Sequence, residues 1–114
     1  MSYIDGAIIP VPTDRKADYI KKAEAIAALF KEYGATAVVD AWGDDVPEGK
    51  LTDFRRAVQQ TAEETVVFSW VAWPDKAFRD AAWEKVMKDP RMAEIDAPFD
   101  GKRMIYGGFQ TISD

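Results

Sequence analysis

The chain contains no cysteine and no histidine. The first absence excludes disulfides and thiolate chemistry. The second removes the commonest general base and transition-metal ligand, and with it every serine–histidine or cysteine–histidine nucleophile system. Catalysis would have to rest on Asp, Glu, Lys, Arg, Tyr, Ser or Thr, and no cofactor is expected. Basic residues are also in deficit, with 15 Lys and Arg against 20 Asp and Glu and a net charge of −5. Such a surface repels phosphate on average, so nucleic acid is not an expected partner. Long apolar runs are missing, so no membrane span is expected. The opening stretch "MSYIDGAIIPVP" has no basic start and carries Asp5 early. A secretory signal is therefore not expected, and the cytoplasm is the default location.

What is present suits one domain covering residues 1–114, with 47 % hydrophobic and 31 % charged residues. Residues 3–11, "YIDGAIIPV", read as a strand closed by Pro12. Pro10 lacks a ladder donor, so the strand's end should be irregular or unpaired there. Residues 14–33 read as a helix, with Ile20, Ala23, Ala27 and Phe30 at helical spacing and Tyr19, Ile26 and Tyr33 widening the stripe. Thr13 or Asp14 is its expected cap, and Gly34 suits the left-handed residue just past its end. Residues 35–42 and 65–73 read as strands. Between them, 43–64 is a long polar connection with a short helical turn at "TDFRRAV", capped by Thr52 or Asp53. Pro74 suits the first turn of a second helix, over about 75–88, which Pro90 ends. Residues 103–110 read as the last strand. The order β-α-β-β-α-β predicts an α+β fold: a ferredoxin-like sandwich of a four-stranded antiparallel sheet with both helices on one face.

A sheet with one wet face should alternate apolar and polar residues. The third strand does not: Val67, Ser69, Val71 and Trp73 lie on one face, Val66, Phe68, Trp70 and Ala72 on the other. The last strand places Met104 and Tyr106 on one side, Ile105 and Phe109 on the other. Two helices can cover only one face, and an apolar second face asks for a cover of its own. A second copy packed face to face, as in a dimeric α/β barrel, is the economical solution. The competing reading is a monomer whose 43–64 connection folds over the open face. The second helix carries two stripes, Phe78–Ala82–Val86 and Trp83–Met87. The latter is free to meet a partner, line a pocket or stay partly exposed.

Three strings, "WGDDVPEGKLTDFRRAV", "ETVVFSWVAWPDKAFRDAAWEKVMKDPRM" and "PFDGKRMIYGGF", resemble the YbaA-like family of small bacterial proteins of unknown function. The resemblance runs over most of the chain. It implies kinship with the dimeric α/β-barrel superfamily of ferredoxin-like dimers. That superfamily includes cofactor-free monooxygenases, isomerases, haem enzymes and ligand-binding domains. Fold does not choose among them, haem with an axial His is impossible here, and the resemblance supplies no catalytic residues.

The candidate site residues are polar and aromatic. Asp40, Asp44, Asp45 and Glu48 offer carboxylates of the kind Mg²⁺ and Ca²⁺ prefer. Their spacing fits no EF-hand and "DDVPEGK" reads as a solvated turn, so no metal is expected. Arg55 and Arg56, with Arg103 from the last strand, could clamp an anion. Equally, they could pair with Asp44, Asp45 or Asp53. Trp42 opens into the charged loop, whereas Trp70 reads as core. Asp5 and Asp40 lie inside strands, and burial without a cation would raise their pKa values. "YGG" at 106–108 lacks the residues of a phosphate loop; its glycines fit a bulge or close packing. Trp42, Arg55, Arg56, Arg103 and Tyr106 are expected around one end of the sheet, with Asp40, Asp44 and Asp45 beside them. The function expected is a homodimeric module that binds a small anionic or aromatic ligand. Cofactor-free chemistry with Asp40 or Tyr106 shuttling protons is a possible extension. The alternative is a non-catalytic protein-interaction or stress-associated dimer.

Overall fold

The computed structural model describes residues 2–113. Four strands, β1 (Tyr3–Pro12), β2 (Ala37–Trp42), β3 (Glu64–Trp73) and β4 (Ile105–Gln110), form one antiparallel sheet in the order β2-β3-β1-β4. Helix α1 (Lys16–Glu32) links β1 to β2 and helix α3 (Lys76–Lys88) follows β3. Two short helices, α2 (Phe54–Ala57) and α4 (Pro90–Ala93), sit in the connections. This is the ferredoxin-like α+β sandwich expected from the order of elements. The molecule measures 37 × 35 × 21 Å, and the short dimension leaves room for one sheet and one helix layer about 10 Å across. No helix among the described residues is long and apolar enough to cross a membrane.

The proline in β1 does not disturb the strand. Pro10 pairs with Val66 in an unbroken register that runs from Tyr3 to Pro12. The Val66 carbonyl turns away from β1 to accept Gly43 N–H at 2.8 Å. Pro10 and Val66 are therefore a non-hydrogen-bonded pair, and the N–H that proline lacks would face β4. But β4 stops opposite Ile8, so no ladder bond is lost. The expected irregularity fails because the missing donor falls where no strand could use it.

Local chemistry fixes the helix ends. Gly34, at φ 104°, closes α1 as expected. Ala35 N–H donates to Phe30 O and Gly34 N–H to Lys31 O, both at 3.0 Å, the two bonds of a Schellman motif. The start differs from expectation. Thr13–Arg15 form a 3-10 turn and no side chain caps α1. Thr13 instead extends the sheet, its N–H donating to Glu63 O and its hydroxyl meeting that of Thr65 at 2.7 Å. Asp75, not Pro74, opens α3, accepting Phe78 N–H at 2.8 Å. Asp53 caps α2 through Arg56 N–H at 2.7 Å.

Odd-numbered β1 residues, with Val38, Val67, Val71 and Trp73, face the helices. Leu29, Phe30, Val71, Trp73, Ala82 and Val86 make one core cluster; Ile9, Val11, Tyr19 and Val67 make another. Ile20, expected in the stripe of α1, is 43 % exposed because the helix turns Tyr19, Leu29 and Phe30 inward instead. The opposite face carries Val39, Phe68, Ile105 and Phe109, all exposed. Its far end is closed. Pro10, Val66 and Val58 are buried yet belong to neither helix-side cluster, and Phe54 of α2 meets Phe68 edge-on at 6.3 Å. The 43–64 connection thus covers one end of the open face and leaves the rest bare.

At Gly34 a β-carbon would stand 2.4 Å from the Phe78 ring, on a backbone that L-residues avoid. Gly34→Ala should cost about 1–3 kcal/mol, read as a lowered urea midpoint with an unchanged m-value.

Candidate functional site

A cavity of about 640 Å³ lies between the helices and the sheet. Its floor is built of small residues, Gly6, Ala7, Ser69 and Gly107, which leave space that larger side chains would fill. Ile26 and Phe30 of α1, Trp83 and Met87 of α3, and Met92, Phe99 and Met104 of the segment leading to β4 form the walls. A smaller groove of about 360 Å³ runs between α1 and the edge strand β2, where Lys16, Ile20 and Trp42 line it. Tyr19 and Asp40 border both spaces.

One end of the large cavity is closed by a carboxylate whose hydrogen bonding is saturated. Asp5 Oδ1 accepts Arg79 Nη2 at 2.6 Å, and Arg79 Nε lies 3.1 Å from both carboxylate oxygens. Trp73 Nε1 donates to Oδ2 at 2.8 Å and Trp83 Nε1 to the same atom at 2.7 Å. Arg79 also reaches Asp80 and stands over the Tyr3 ring. Burial pushes the Asp5 carboxyl up. Bonds from Arg79, Trp83 and Trp73 outweigh that and hold it below the usual carboxylate range. The expectation of a raised pKa for Asp5 fails for this reason: an arginine is its partner, and the group is locked as an anion.

The polar groups free to meet a ligand lie elsewhere. Lys22, Ser69 and Tyr106 border the cavity, and none has a side-chain hydrogen bond or ion pair among the described residues. Asp40 Oδ1 accepts the Tyr19 hydroxyl at 3.2 Å and leaves Oδ2 open. Burial, then the Asp40 charge and hydrogen bond, drive the Tyr19 pKa far up, so that hydroxyl stays protonated. The site is thus an apolar cavity whose uncommitted polar groups are one lysine, two hydroxyls and one half-used carboxylate.

The eight residues singled out in the sequence divide among three places. Asp40 and Tyr106 border the large cavity. Trp42 lines the groove, with Lys16 Nζ 5.2 Å above its ring and Tyr19 beside it at 6.4 Å. The other five stand outside both. Arg55 donates to Val46 O at 2.9 Å. Arg56 bonds Asp53 and the Gly49 and Lys50 carbonyls. Arg103 takes Glu64 in a fork at 2.6 and 2.7 Å and also binds Asp100 and Gln59 O. Asp44 and Asp45 are exposed and bond to no other described residue. The arginines are not free to hold an anion as expected: Arg55 and Arg56 are used within their own loop, and Arg103 is used by Glu64, Asp100 and Gln59 O. Lys22, Ser69 and Arg79 were missed. Arg79, Trp83 and Met87 recur at four-residue spacing, a signal that a second face of α3 meets something partly polar.

Residues 2–101 match the model of a family described as proteins of unknown function, DUF1428. The chain belongs to the DUF1428 family. "Uncharacterized protein YbaA" of Escherichia coli K12 and its counterpart in Shigella flexneri are each 54 % identical to it over 116 residues, covering 100 % of this chain and 99 % of theirs. The resemblance drawn from the three sequence strings is thereby confirmed, and these relatives are bacterial. A NIPSNAP domain protein from Burkholderia xenovorans has a similar structure, with a TM-score of 0.55, 12 % identity, and 97 % of this chain and 95 % of that one aligned. At that identity the likeness speaks for the fold that DUF1428 shares with it, and for nothing further.

Two measurements check the electrostatics. Asp5→Asn leaves Arg79 beside a neutral group and should cost about 3 kcal/mol in denaturant unfolding, with altered Trp73 and Trp83 fluorescence. The Arg103 fork, the largest influence on Glu64, lowers its pKa from 4.5 to about 2. A depressed folded-state pKa stabilises the fold above the unfolded value and is lost as pH falls. The wild-type Tm should therefore drop between pH 4.5 and 2, and Glu64→Gln should flatten that slope.

Proposed function

We propose that this DUF1428 protein is a homodimeric module that binds a small, largely apolar molecule carrying an anionic group. The observation that carries this reading is the 640 Å³ cavity, whose apolar walls are bordered by an uncommitted Lys22 and Ser69 and, at the exposed rim, by Tyr106. A preformed apolar space with few polar groups is the usual form of a small-molecule site. The lysine favours an anionic end, and the aromatic and methionine walls favour a ring or an alkyl body. Among the earlier arginine candidates, none supports this assignment, so Lys22 replaces them. Acid–base chemistry would fall to Asp40 and Tyr106, since Asp5 is held by Arg79 and the two indoles.

The homodimer rests on the exposed Val39, Phe68, Ile105 and Phe109 of the sheet. A second copy packed on this face would cover it with the same residues. The interaction-only alternative gains nothing from the open face, which a self-dimer already accounts for.

Thermal-shift titration with benzoate, salicylate and octanoate checks the cavity. At least one should raise the wild-type Tm by a few degrees through native-state binding, with a much smaller shift for Ser69→Leu, which fills the floor, and for Lys22→Met. Equal shifts in all three proteins would refute the site. Sedimentation equilibrium at about 10 µM should return twice the chain mass, and Phe68→Asp should return the chain mass alone.

A further inference from the structure

The most exposed large apolar side chain of the described residues is Leu51, at 95 %. A lone exposed leucine is ordinary; the way this one is held is not. Asp53, its side chain 5 % exposed, accepts Gly49 N–H at 3.1 Å and Arg56 N–H at 2.7 Å. Arg56 returns to Asp53 at 3.1 Å, to Lys50 O at 3.3 Å and to Gly49 O. Arg55 ties Val46 O to the same helix. The residues on both sides of Leu51 are thus fixed against α2 by one carboxylate and two guanidinium groups, and the leucine projects from a braced loop into solvent. That loop adjoins the bare sheet face, because Phe54 at the start of α2 rests on Phe68.

The area of that face calls for such an arm. Where all four strands pair, over six residues at about 3.4 Å each and about 4.8 Å apart, the sheet presents roughly 400 Å² in plan, while a stable dimer covers roughly 800 Å² on each partner. Side-chain relief raises the first figure, but the connection already occupies the Pro10–Val66 end. The sheet face alone is a small interface, and Phe54, half-exposed against Phe68, continues it onto the loop that carries Leu51.

We infer that the 48–56 loop is a dimerisation arm, and that Leu51 inserts into a second copy of this chain. The inference rests on the homodimer reading above. Two-fold symmetry makes the contact reciprocal, so each dimer carries two such insertions. The brace removes the ordering entropy that a mobile loop would spend on association. Arg55, Arg56 and Asp53 thereby acquire a role: they preorganise the arm.

Sedimentation equilibrium of wild type, Leu51→Asp, Leu51→Met and Phe68→Asp tests it. With the chemistry so exposed, Leu51→Asp should keep the wild-type circular dichroism and behave as a folded protein. The expected result is a dimer dissociation constant raised at least tenfold by Leu51→Asp and changed less than threefold by Leu51→Met. A dimeric wild type with Leu51→Asp associating within twofold of it overturns the arm and leaves the sheet-face dimer standing. A wild type that is monomeric up to 100 µM overturns both. A second measurement uses the absence of cysteine: Leu51→Cys carrying a benzophenone maleimide should photo-crosslink to a covalent dimer. Absence of any covalent dimer from a sample that sediments as a dimer counts against insertion.

Discussion

The Asp5 carboxylate is the point on which three elements converge. It sits in β1, accepts an indole from Trp73 at the end of β3, and accepts both the Trp83 indole and the Arg79 guanidinium from α3. Removing a carboxylate from water is costly unless its oxygens are satisfied and a cation stands beside it. Here both conditions are met, so the charge fixes the height and rotation of α3 over the sheet. That rotation sends Ala82 and Val86 into the core and leaves Trp83 and Met87 as a wall of the cavity. Core and chamber are two results of one placement.

Much of this was legible in the chain. The βαββαβ order, the Gly34 terminator, the Asp53 cap and the two apolar faces of β3 follow from periodicity and local propensity, which act over a few residues. The misses have a common origin in longer range. Pro10 reads locally as a proline in a strand, whereas its effect depends on β4 stopping at Ile105, nearly a hundred residues away. Thr13 reads as a cap, but its partners are Glu63, just before β3, and Thr65 on it. Asp5 reads by burial alone, while Arg79 decides its charge. Arg55, Arg56 and Arg103 looked like anion ligands because composition cannot say whether a guanidinium meets a neighbour's carbonyl or an open space. Lys22 and Ser69 drew no notice because nothing local marks them; only the fold makes them neighbours of a cavity.

The 43–64 connection resolves in an intermediate way. It neither stays a loose polar loop nor closes the open face, but seals one end through Val58 and stands a braced turn beside the remainder. Asp44 and Asp45, just after β2, stay in solvent, and Asp53 is consumed in holding the turn. Its length has a physical use: reaching from the β2 edge across to the apolar surface takes more residues than a hairpin supplies.

The glycine pair in the cavity floor has a geometric consequence. Gly6 and Gly107 face one another across β1 and β4, and the ring of Phe109 lies 3.6 Å from where either β-carbon would stand. Both residues also border the chamber on the reverse side. At this spot the wall between chamber and outer face is one peptide layer thick, with no side chain to cushion it. Whatever occupies the chamber and whatever covers Phe109 press on the same four peptide planes, so inside and outside are mechanically one membrane.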